Sequence, residues 1–189
     1  MVIFSKIFFI KPLLAMIIRP NNLSRKILPL FFCLAQFCVI TTASAHSKDL
    51  QAEFKDWSVF KSNRGDNVIC YAVSIPIKID GNFLHRGEPY LLVTNLLNDS
   101  DEVSVSSGYI YKPTSDIEMS FGSKKFYLFP YMSLAWANDS NDDIDIIKEM
   151  QKSEEVTIVG TTRDNKISND TYSLIGFAQA YAKLKEICK

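Results

Sequence analysis

Between residues 54 and 137 the chain alternates short apolar runs with clusters of Gly, Asn, Asp and Pro. "FKDWSVFK" (54–61) carries Phe54, Trp57 and Phe60 as bulky markers, and "VICYAVSIPI" (68–77) is rich in β-branched residues and runs into Pro76. "PYLLVTNL" (89–96), "EVSVSSGYIY" (102–111), "IEMSF" (117–121), "KKFYLFP" (124–130) and "MSLAWA" (132–137) follow. Turn-forming stretches separate them: "SNRGDN", "IDGNFLHRGE", "NDSD", "KPTSD" and "FGSK". Short strands at regular spacing predict an antiparallel β-sandwich or barrel.

After residue 137 the period changes. "NDSNDDIDIIKEMQK" (138–152) places Ile144, Ile147 and Met150 on one side, with Asp142, Asp143 and Asp145 early and Lys148 and Lys152 late. That charge order suits a helix dipole. "EVTIVGTT" (155–162) predicts another strand and "RDNK" (163–166) a turn. A last helix is expected from Leu174 to Cys188, with Ser173 as its N-cap. Leu174, Phe177, Ala178, Tyr181 and Leu184 recur at helical spacing, with Cys188 in phase. The fold class expected is mainly β (α+β), with a mid-chain helix and a C-terminal helix.

The N-terminus changes the reading of the charge. Arg25 and Lys26 precede the apolar run at 27–41, and Ala43 and Ala45 offer small residues for signal peptidase. Residues 1–45 are therefore expected to be a signal peptide, with Met16 an alternative start, and residues 46–189 a single β-rich domain. The 21 basic and 21 acidic residues cancel over the whole chain. Lys6, Lys11, Arg19, Arg25 and Lys26 leave with the leader, which holds no acidic residue, so the remainder is acidic. An acidic domain argues against nucleic acid as a partner, and no stable membrane span is expected after cleavage. Cys33 and Cys38 also leave. The two cysteines that stay, Cys70 and Cys188, have one intramolecular pairing in an oxidising compartment. Two reduced thiols or an intermolecular bridge are the alternatives.

Candidate chemistry is sparse. Arg64-Gly65-Asp66 spells an adhesion tripeptide, yet "NRGDN" is also an ordinary turn. Asp139, Asn141, Asp143 and Asp145 alternate like the start of a calcium loop, but Ile144 stands where glycine is required and Met150 where the chelating glutamate belongs. An acidic helix start accounts for them better. His85, in "FLHRGE", is the one histidine expected inside the domain and carries no local catalytic signature. Trp57 and Trp136 read as core aromatics. No cofactor or metal is expected.

"DTYSLIGFAQAYAKLKEIC" (170–188) resembles the end of the invasion-associated locus B family of exported alphaproteobacterial proteins, through Asp170, Thr171, Tyr172, Ser173, Leu174, Gly176, Phe177, Ala180 and Cys188. "FKDWSVF", "ICYAVSIP", "RGEPYLLVT", "GYIYK", "LAWA" and "TIVGTTRDNKISNDTYSL" fall in family order. Many relatives carry further cysteines, absent here at Lys61 and in "LAWA". The resemblance implies a compact β-rich protein of the periplasm or envelope and brings no catalytic residues with it. The function expected is that of an exported non-enzymatic protein, periplasmic, outer-membrane associated or secreted, that binds an envelope or host protein. A periplasmic enzyme using His85, or an inhibitor or chaperone of an envelope protein, are the alternatives.

Overall fold

Alternating inward and outward side chains lay the chain down as antiparallel strands. The computed structural model describes residues 48–64, 67–83, 85–95 and 100–188; the leader and the signal-peptide expectation lie outside them. In chain order the strands are β1 (Lys48–Phe54), β2 (Trp57–Arg64), β3 (Asn67–Ser74), β4 (Lys78–Asp80), β5 (Tyr90–Asn95), β6 (Asp101–Ser106), β7 (Ile117–Phe121), β8 (Lys124–Tyr131) and β9 (Leu134–Trp136). Helix α1 (Ser140–Met150), strands β10 (Glu155–Thr161) and β11 (Ile167–Ser173), and helix α2 (Phe177–Ile187) complete the fold.

Among the described residues the strands form one sheet in the order β1-β2-β3-β5-β6-β9-β8-β7-β10-β11-β4. Its ends, β1 and β4, do not pair, so the sheet is not closed: the fold is a sandwich-like α+β arrangement rather than a barrel. Strand β8 joins the two halves. Its first part, 124–128, pairs with β7, and its last part, 129–131, pairs with β9. Inward residues of both halves share one core, including Trp57, Val59, Leu91 and Val105 from one side and Ile117, Met119, Val156 and Ile158 from the other.

Helix α2 covers β1, β2 and β3. Phe177, Ala180 and Leu184 form its buried face, and the Phe177 ring lies 4.7 Å from that of Trp57. The Trp57 indole donates to the Ser173 carbonyl at 3.0 Å. Tyr181 donates to Asp101 at 2.6 Å, and Lys185 approaches the same carboxylate at 3.2 Å. Lys61 donates to the Ile187 carbonyl, satisfying one acceptor at the helix end. The Cys70 and Cys188 sulfurs are bonded, with their Cα atoms 5.9 Å apart.

Several element boundaries differ from the sequence expectation, three of them near helix α2 and its strands. "FKDWSVFK" is not one strand: Phe54 ends β1 and Trp57 starts β2, opposite each other across a tight turn with Lys55 at φ 56°. Residues 167–173 form β11. Helix α2 starts at Phe177 rather than Leu174, its N-cap being Gly176 at φ 93° instead of Ser173. A Cβ at Gly176 would overlap the Phe54 carbonyl, so both conformation and space select glycine there.

Helix α1 packs against β6. Asp139 caps it, accepting from the backbone N–H groups of Asn141 and Asp142. Asp143 turns inward and accepts from Val103 N–H at 2.8 Å. Burial raises its carboxyl from 3.8 to about 6, the Val103 bond opposes the rise, and Glu102, Asp142 and Asp101 add to it. The folded protein thus holds this proton to higher pH than the unfolded chain. The stability from this group is full below pH 3.8 and is lost as pH rises through about 6. Asp143→Asn keeps an acceptor and removes the charge. Its stability relative to wild type is expected to rise by roughly 2 kcal/mol between pH 4 and pH 7, as read by urea unfolding at each pH. A pH-independent difference would contradict the assignment.

Candidate functional site

Three loops meet at one end of the sandwich around a groove of about 420 Å³. Phe83 and His85 come from the β4–β5 connection, Tyr109 and Ile110 from the segment after β6, and Thr162, Arg163, Asp164 and Lys166 from the β10–β11 turn. The Phe83 and Tyr109 rings lie near-parallel, 5.3 Å apart and tilted 17°. They make an apolar floor, with polar groups on the side of the turn.

A buried ion pair holds that floor. The Arg86 guanidinium makes a two-pronged contact with the Asp170 carboxylate, and its Nε donates to the Ser107 carbonyl at 2.6 Å. Asp170 is fully buried and the Arg86 side chain nearly so. The guanidinium carbon sits 5.2 Å from the Phe83 ring centre and 5.6 Å from that of Tyr109, within cation–π range. Tyr109 and Ser168 share a hydroxyl bond at 2.6 Å, and Tyr111 donates to Ser107 at 2.7 Å. Burial raises the hydroxyl pKa of Tyr109, Tyr111 and Tyr172 above the usual range. The Tyr172 hydroxyl is buried without a partner among the described residues.

The backbone makes room for this network. Gly87 N–H donates to the Gly108 carbonyl at 2.8 Å. Gly108 has φ 75°, and a Cβ there would overlap the Gly87 carbonyl. Gly160, in β10, lies under the Tyr109 hydroxyl and the Tyr111 ring, where any side chain would displace them.

The residues singled out in the sequence scatter. Arg64 ends β2 opposite Asn67, while Gly65 and Asp66 lie outside the described residues. Asp139 caps a helix, Asp143 bonds the β6 backbone and Asp145 pairs with exposed Lys148, so these acids do not converge. His85 is exposed and lines the groove. Trp57 is in the core, but Trp136 is not. It stands half-buried on the outer face, 5.8 Å from Phe129 and donating to Glu102 at 3.2 Å. With Tyr127, Phe129 and Tyr131 exposed along β8, it belongs to an outward aromatic stripe.

Sequence reasoning missed the Arg86–Asp170 pair. Both residues lie within the stretches that carry the family resemblance, "RGEPYLLVT" and "DTYSL". So do Trp57 and Ser173, which bond each other, and Cys70 and Cys188. The quoted pieces are far apart in sequence and touch in space.

No family model and no curated protein matches this chain. Among solved structures, the crystal structure of invasion-associated protein B from Bartonella henselae superposes with a TM-score of 0.53 at 13% identity, covering 74% of this chain and 98% of that one. The two share a fold. No helix among the described residues is long and apolar enough to cross a membrane.

Proposed function

We propose that this chain is an exported, non-enzymatic binding protein of the bacterial envelope, of the invasion-associated locus B type, with host-cell contact as its most specific form. The observation that carries the reading is the Cys70–Cys188 bond, which closes a loop of sequence separation 118. Such bonds persist in oxidising compartments. The basic flank, apolar run and small-residue cleavage site before residue 46 supply a route there. Fold likeness to invasion-associated protein B from Bartonella henselae supports the family, and the groove offers a place for a ligand.

Protease treatment of intact native cells, beside an osmotic-shock fraction, tests the compartment. Digestion on intact cells is expected if the protein contacts hosts. Protection until the outer membrane opens places its partner in the periplasm, and recovery in the cytoplasm overturns the proposal. His85→Ala tests the non-enzymatic half: because His85 lines the groove, a folded variant that still binds its ligand but loses the biological activity would point to catalysis, and unchanged activity supports the binding reading.

A further inference from the structure

We propose that the groove binds a small organic anion, a carboxylate on a flat apolar body, with Arg163 as the anion clamp and the Phe83–Tyr109 stack as the floor. This rests on the binding reading above and names its ligand class.

The charge balance of the turn selects the anion. Lys166 pairs with Asp164 at 3.2 Å, and Asp164 also accepts from the Thr162 hydroxyl. Lys112 donates to Asn165 at 2.7 Å. Arg163 is exposed and makes no hydrogen bond or ion pair among the described residues. The partner of Lys112 is a neutral amide, so its charge also stays uncancelled and the rim is net positive. The Arg163 fork stands beside an apolar surface and fits a carboxylate in two parallel bonds.

The floor selects the body. Phe83 and Tyr109 already stack on each other, and a planar ring extends that stack with the geometry aromatic pairs prefer. Ile110 is 41% exposed beside them and gains from being covered. The floor is set before ligand arrives, because Arg86 lies against both rings and Asp170 fixes Arg86. Little ordering cost is then left for binding.

Calorimetric titration of the oxidised protein, as purified from cells, tests this with three probes: 2-naphthoate, its neutral analogue 2-naphthylmethanol, and inorganic phosphate. One saturable site for 2-naphthoate is expected, with weaker binding of the other two. Arg163→Gln should weaken 2-naphthoate about tenfold, the loss of a charge-assisted bond. The same variant should leave the alcohol within about twofold. Phe83→Ala should weaken both, and unfolding curves identify a variant that fails to fold; Arg163→Gln, at an exposed site, then carries the test alone. Equal affinity for acid and alcohol, an unchanged Arg163→Gln, or no saturable binding of 2-naphthoate overturns the proposal. The compartment experiment reads the envelope assignment separately, so an envelope protein that ignores 2-naphthoate refutes the ligand class and not its location.

Discussion

Replacing Cys70 and Cys188 together by alanine is expected to cost about 4–5 kcal/mol of stability, the chain-entropy value for a closed loop of this length. The bond joins the middle of β3 to the C-cap of α2 and spans nearly the whole described chain. Without it the unfolded chain regains the freedom that a loop of 118 residues had lost. The folded state keeps most of its contacts. Phe177 still packs on Trp57, Asp101 still holds Tyr181 and Lys185, and Lys61 still caps Ile187. The loss should therefore fall mainly on the unfolded side, raising the denaturant slope as well as lowering the midpoint. Urea unfolding of the double variant, beside wild type with and without a reducing agent, checks this. Reduction of wild type should reproduce the double variant, and a midpoint unmoved by both treatments would show that the two cysteines are not joined.

Asp170→Ala is expected to cost about 3–5 kcal/mol, because it leaves the Arg86 guanidinium buried without its counter-charge. Arginine cannot shed its proton to escape, and the one remaining strong acceptor is the Ser107 carbonyl. Arg86→Met strands the Asp170 carboxylate instead and should also be strongly destabilising. The pair Arg86→Met with Asp170→Leu removes both charges and should recover most of the loss. Chemical denaturation of the four proteins completes the cycle. Additive losses would mean that the two residues do not act as a pair.

Sequence pattern reached the fold wherever apolar side chains filled the inward positions. "IEMSF" became β7 with the same ends, 117–121, because Ile117, Met119 and Phe121 alternate cleanly between turn residues. Strand β11 gave no such signal. Its inward residues include Ser168 and Asp170, both fully buried, so periodicity of hydrophobic residues had nothing to register. What fills that space is a hydrogen-bonded ion pair, and its partner Arg86 lies 84 residues away. The site was hidden for the same reason as the strand. Leu174 is buried and in phase with α2, so the pattern extends the helix to it, although Gly176 stands between it and the first helical turn. A tryptophan in a short strand reads as core, and only the register that sets Trp136 opposite Phe129 reveals the outer face it takes.

The most direct test of the account is mass spectrometry of the protein recovered from the osmotic-shock fraction of its native cell, with free thiols alkylated before digestion. The account predicts a chain beginning at His46, with peptides containing Cys70 and Cys188 linked and unalkylated. A chain that retains the leader, remains with the cytoplasm and carries alkyl groups on both cysteines would contradict it.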